Sequence, residues 1–321
     1  MSLSSKSSPK LANSPFDDSR ADIILRTKDN VDFRVSKFIL SLISPVFTSK
    51  FTTAQPASHD QKSTDALPVI TVTEDSKTLD DALRHCYPTR SPEISGIQEA
   101  QVLLDFAQKY EIDALEHTLT HYLMSAIETD LVMAFALAIK YKYENVALAA
   151  ARASLRLPIS DLISTEPSSI GLDTYQMLIR YHVACGAAAS AVALERKWFP
   201  SGNKLFSMET VSKDQVFSCC TTRDFVYAPP ASFSSKTIRT APRYLWSYLH
   251  RSTVVLAHQP NAAAVTGKDF VLKDVDCFCC VFPKQEEMLE FSRVFGKEIE
   301  RVIAQVSINL AFVDSASTEN A

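Results

Sequence analysis

Between Arg20 and Phe51 the order of apolar and polar residues leaves the chain few ways to fold. Residues 22–26 and 31–35 read as two short β segments. Thr27-Lys28-Asp29-Asn30 between them suits a hairpin turn. The period then changes: Phe38, Ile39, Leu42, Ile43, Val46 and Phe47 recur at spacings of three and four, which is a helical pattern. Ser44-Pro45 interrupts it, with a serine able to cap and a proline able to open a second short helix. The spacing predicts hairpin, helix, helix.

Several particular residues accompany this pattern: Asp22 and Leu25 in the first segment, Phe33 and Val35 in the second, Lys37 with Leu40, and the block Ser44-Pro45-Val46-Phe47. In that combination residues 17–124 resemble the BTB/POZ domain. One position departs from the family pattern. Histidine usually precedes the lysine, and here that position is Ser36, so any buried hydrogen bond made by the imidazole has to be made differently. His85-Cys86-Tyr87-Pro88, a helical middle and the run APRYLWSYLHRS at residues 241–252 make the wider chain similar to the BTB-containing proteins abundant in mushroom-forming basidiomycete fungi.

The resemblance implies an α+β fold, a small sheet capped by a helix cluster over residues 20–125. A helical extension of the kind that follows BTB in many adaptors would occupy residues 126–200, and a mixed α/β region ending in a long helix would occupy 201–312. Residues 1–19 and 313–321 are expected to be flexible tails, because polar, Pro-containing sequence buries too little area to offset ordering. Residues 52–66 read as a polar surface loop and 67–72 as a third strand. Helices are expected from residue 76, with Leu79, Leu83 and Cys86 on one face, over 97–110, and onward through Ile112, Leu115, Leu119 and Leu123. Further helices are expected over 128–157, 172–198, 241–258 and 286–310, the last an amphipathic helix or a short coiled coil. Residues 216–220 and 225–227 read as short strands or loop.

Composition narrows the function classes. With 46% hydrophobic and 22% charged residues the chain has the material for two or three packed domains. A net charge of −4 without a basic stripe speaks against nucleic acid as a partner. The Ser/Pro-rich opening has no apolar core of signal-peptide length, and the run at 131–139 is too short for a bilayer, so the expected setting is the cytoplasm or nucleus, with no membrane. Seven cysteines fit a reducing compartment.

Chemistry-bearing motifs are few in this sequence. None of the six glycines forms a phosphate-cradling loop or a nucleophile elbow, so the chain is not expected to be an enzyme. His117 and His121 stand four apart on a helix, either as a metal pair or as two surface or partly buried histidines, and lack the glutamate of HExxH. His182 lies on an apolar stripe, as a core histidine would. Cys219 and Cys220, with Cys277 and Cys280 about sixty residues on, could bring four thiolates to one zinc or pack as small core residues. No other cofactor is indicated.

The expected function is therefore a protein–protein interaction module that self-associates, and the resemblance further implies a substrate adaptor for a cullin-type ubiquitin ligase or a transcriptional cofactor. The alternative is a zinc-stabilised scaffold built on the C-terminal cysteines. By the resemblance, Asp22 and Lys37 lie near the dimer interface. On the residues alone they serve equally well as an intrachain ion pair or a cap. Leu40, Ile43 and Phe47 would supply most of the association or else belong to the core. Leu79, Leu83, His85 and Tyr87 mark the edge where a cullin or another protein would dock.

Overall fold

The computed structural model describes residues 8–53, 67–89, 91–164, 170–195, 198, 243–273, 275 and 281–310. The chain divides into two compact units, residues 1–146 and 147–321.

The first unit is a mixed sheet with helices against it. Strands β1 (Lys10–Leu11), β2 (Ile23–Arg26), β3 (Val31–Val35) and β4 (Val69–Thr71) lie in the order β1-β3-β2-β4. The expected hairpin is β2-β3, antiparallel, with Leu25 opposite Phe33 and both buried. Its turn closes through Asn30, which adopts the left-handed φ of 64° that asparagine tolerates and whose N–H donates to the Thr27 carbonyl at 3.0 Å. Strand β4 then adds parallel to β2.

The tail expected over residues 1–19 is corrected from its middle onward. Strand β1 runs parallel to β3, and Phe16 is fully buried, its ring 5.7 Å from Phe33 and 5.4 Å from Tyr87. Burying one phenylalanine contributes about 1.5–3 kcal/mol. The N–H groups of Lys10, Ala12 and Arg34 also find carbonyls at Asn30, Asp32 and Phe16. A Ser/Pro-rich composition conceals a single aromatic anchor of this kind.

Six helices follow in this unit among the described residues: α1 (Lys37–Ile43), α2 (Pro45–Thr53), α3 (Ser76–Cys86), α4 (Ile97–Tyr110), α5 (Asp113–Ala126) and α6 (Leu131–Lys140). Their starts follow local chemistry. The buried Ser44 hydroxyl accepts the Phe47 N–H at 3.0 Å and donates to the Tyr110 carbonyl, so it caps α2 and ties it to the end of α4. Asp75 caps α3 by accepting the Thr78 N–H at 2.8 Å. Phe47 stacks on Tyr110 with ring centroids 4.5 Å apart.

Helix α6 lies beyond the expected domain end at residue 125 yet packs on α4 and α5. Leu131, Val132, Phe135, Leu137 and Ile139 are all buried. Just past its end the Tyr141 hydroxyl donates to Asp105 on α4 at 2.8 Å, and Lys140 at the last turn reaches the same carboxylate at 2.8 Å.

The elements of the second unit are all helices among the described residues: α7 (Glu144–Ser154), which crosses the division, then α8 (Ile159–Ser164), α9 (Leu172–Leu194), α10 (Arg243–His258), α11 (Ala263–Thr266), α12 (Lys268–Leu272) and α13 (Val281–Ile303). A single core joins α9 to α10 and α13, through Ala189, Val192, Tyr248, Phe291 and Phe295. Helix α9 of the expected 126–200 region and α10 and α13 of the expected 201–312 region thus share one core. Gly186 explains how closely α9 and α10 approach, since a Cβ there would lie 2.6 Å from the Ala257 carbonyl oxygen. By length and composition α9, with a mean hydropathy of 1.4, is apolar enough to cross a bilayer, but its inward face is taken up by α10 and α13. His182 is fully buried, with Nε2 3.1 Å from the Leu157 carbonyl oxygen; burial lowers its pKa, against the opposing pull of the Leu157 and Ser154 backbone. Residues 54–66, 216–220 and 225–227 lie outside the described residues.

If α6 belongs to the first unit, residues 8–146 should melt cooperatively and higher than residues 8–126. Stripping the cover from α4 and α5 removes several buried aliphatics, each worth about 1.5–3 kcal/mol. Thermal unfolding followed by circular dichroism checks this, and equal melting temperatures would show α6 to be dispensable.

Candidate partner-binding face

Helix α1 is seven residues long and would not persist alone in water. Its first N–H groups have no partner within the helix and must find one elsewhere. The Asp22 carboxylate, at the start of β2, accepts the Lys37 N–H at 2.7 Å. The Tyr87 hydroxyl, just past α3, accepts the Ser36 N–H at 2.8 Å. Ser36 itself makes no side-chain cap. At the position where the family usually has histidine, the side chain makes no cap and the backbone N–H donates to a tyrosine. Burial pushes the Tyr87 phenol up to about 12, with the Ser36 N–H partly opposing, so the hydroxyl stays protonated.

Asp22 thus acts as a cap supplied from outside the helix. Among the described residues no ion pair joins its carboxylate to the Lys37 ammonium, which leaves the cap reading in place of the ion pair.

The apolar residues of α1 divide between two sides. Leu40 is fully buried, as is Phe47 on α2, so these two expected partner contacts are core residues. Ile43 is half-buried. Phe38 and Leu42, one turn apart, are 74% and 75% exposed. Their helical spacing with Ile39, Ile43, Val46 and Phe47 did not say which side they face. The available signal was the crowding itself: apolar residues at 38, 39, 40, 42 and 43 are too many for one face of two turns, so some must point outward.

Leu42 also forms one wall of an open groove of 540 Å³, lined by Ser41, Ile43, Pro45 and Thr48 on one side and Glu111 and Asp113 on the other. Glu111 ends α4 in the left-handed conformation, φ 51°, which carries its side chain to the rim. Both carboxylates are exposed and neither has an ion-pair partner among the described residues. An apolar wall, hydroxyls and an acidic rim suit an apolar side chain flanked by a basic one.

These features occur within a match along the chain. Residues 13–126 match the family model of the BTB/POZ domain. The chain carries a BTB/POZ domain. No curated protein matches the chain. BTB/POZ domains are protein–protein interaction modules rather than enzymes, and in general they mediate self-association and cullin binding.

Within the BTB/POZ domain the expected docking edge on α3 is also corrected. Leu79 and Leu83 are fully buried in the domain core. His85 is half-buried, its pKa lowered by burial against the pull of Asp81 and Glu99, and Tyr87 is engaged with Ser36. What α3 turns outward is polar, notably Lys77. Cys219, Cys220, Cys277 and Cys280 lie outside the described residues, and among the described ones no group of three or more histidines, cysteines or carboxylates is placed to hold a metal.

Replacing Asp22 with alanine should remove one cap and destabilise the domain by about 0.5–2 kcal/mol, whereas Asp22→Asn, which keeps an acceptor, should cost less. Urea unfolding of the two variants checks this. Equal losses would return Asp22 to a purely charge-based role.

Proposed function

We propose that the protein is an adaptor whose BTB/POZ domain self-associates through α1, so that the second, helical unit is displayed in two copies. The observation that carries the reading is the exposure of Phe38 and Leu42 on a short helix whose start is fixed by Asp22 and Tyr87. A solvent-facing Phe-x-x-x-Leu pair is costly to leave bare, and a twofold axis beside it lets each residue cover its own counterpart. Lys37 and Ile43 flank that pair, the first at the helix start and the second on the groove wall. Such symmetry doubles every apolar contact, which matters because an exposed ion pair contributes only about 0–1 kcal/mol.

The adaptor role is completed by a second protein. A cullin of a ubiquitin ligase or a transcriptional complex would engage a surface on the same domain, while the helical unit takes the target. The acidic groove beside α1 supports a partner segment with an apolar residue next to lysine or arginine.

Full-length protein is expected to sediment as a dimer at micromolar concentration, and Phe38→Glu or Leu42→Glu should sediment as a folded monomer with an unchanged circular dichroism spectrum. Analytical ultracentrifugation makes the comparison. A wild-type monomer at micromolar concentration, or a dimer indifferent to both substitutions, would contradict self-association through α1. Retention of a purified cullin N-terminal domain by the wild-type protein tests the ligase assignment.

A further inference from the structure

Helix α5 carries a pair of exposed imidazoles that make no hydrogen bond among the described residues. His117 and His121 are both exposed, one turn apart on the outer side of the helix, while Leu115, Leu119 and Leu123 face the core. Their ring centroids lie 6.4 Å apart, with the planes inclined at 48°. The burial on α5 comes from Leu115, Leu119, Leu123 and Ala126, and both imidazoles stand outside it.

We infer that His117 and His121 form a two-imidazole chelate for a late divalent transition metal, with copper(II) the tightest and nickel(II) and zinc(II) weaker. Residues four apart on a helix bring their side chains to one spot on its surface, and neutral imidazole is the preferred nitrogen ligand of these ions. With a metal–nitrogen bond of about 2.0–2.1 Å, each ring centroid stands ~3.2 Å from the ion, so cis coordination requires centroids ~4.5 Å apart. The two rings therefore need to close by ~2 Å. Rotation about the side-chain torsions of two exposed histidines, which have no hydrogen bond to break among the described residues, supplies that movement.

Among the described residues no third histidine, cysteine or carboxylate converges on the pair, so the remaining positions fall to water. Such a site is open and labile: it takes up metal at micromolar rather than nanomolar level and leaves coordination positions for a ligand from outside. Because each imidazole must be unprotonated to bind, uptake falls as the solution is acidified. Holding two turns of α5 together, bound metal also adds to stability by mass action.

The test uses the untagged full-length protein and copper(II) in a weakly chelating buffer, followed by electron paramagnetic resonance and isothermal titration. The wild type should bind one copper in this class, with a signal showing two coordinated nitrogens from imidazole. His117→Gln and His121→Gln should each weaken that site at least tenfold, and the double variant should lose it. All three variants should keep the wild-type circular dichroism spectrum and oligomeric state. Copper bound equally by the double variant, or loss of affinity in only one of the single variants, would overturn the chelate and assign the metal to other histidines or to cysteines.

Discussion

Two hydrogen bonds from outside hold the start of α1, and the surface that the BTB/POZ domain offers depends on them. Asp22 stands just before β2 and Tyr87 just past α3, and they accept from the consecutive N–H groups of Lys37 and Ser36 respectively. A seven-residue helix has too few internal hydrogen bonds to fix its own direction. With its start held and Leu40 locked in the core, its rotation is set. Phe38 and Leu42 then have nowhere to point but outward.

A second constraint secures the far end of the same face. Glu74, between β4 and α3, accepts from the Tyr110 hydroxyl at 2.8 Å and pairs with the Lys109 ammonium. Burial opposes ionisation of this carboxyl, and the hydrogen bonds from Lys109 and Tyr110 outweigh it, so its pKa lies below the ordinary glutamate value. A depressed carboxyl pKa stabilises the fold above the unfolded value and loses that contribution as pH falls through the folded one. The Tyr110 ring meanwhile stacks on Phe47, and its carbonyl receives the Ser44 hydroxyl. One tyrosine thereby joins β4, α4 and α2, and the groove between α1 and the α4–α5 turn takes its shape from that junction.

Much of this was legible in the residues. Strand β3 falls at the expected positions, α4 spans Ile97–Tyr110 as its periodicity requires, and the Ser44-Pro45 break divides α1 from α2. These features are local, decided by spacing and by capping chemistry. What was not legible depends on tertiary context. Which of five apolar residues in two turns face the core is settled by where the helix start is pinned, and the cap lies fifteen residues away at Asp22 and fifty-one away at Tyr87. Phe16 reads as part of a polar tail until Phe33 and Tyr87 are brought around it. Similarly α6 looks like the start of a helical extension, because nothing in its own sequence says that α4 and α5 are its neighbours.

The second unit shows the same separation between local and long-range information. Periodicity placed α9 and α10, but it read α6 and α7 as one helix over 128–157, ran the last helix to 310 where it ends at Ile303, and passed over the short α8, α11 and α12. The joining of α9 with α10 and α13 rests on contacts such as Gly186 against the Ala257 backbone, which no spacing announces. The proposed self-association makes α1 the partner face. Amide hydrogen exchange of the full-length protein, followed by mass spectrometry at nanomolar and at micromolar concentration, reads that face directly. Segments containing α1 and the Ser44 turn should gain protection with concentration while α3 and α9 should not. Protection of α1 that is independent of concentration, with gains appearing elsewhere, would contradict self-association through α1.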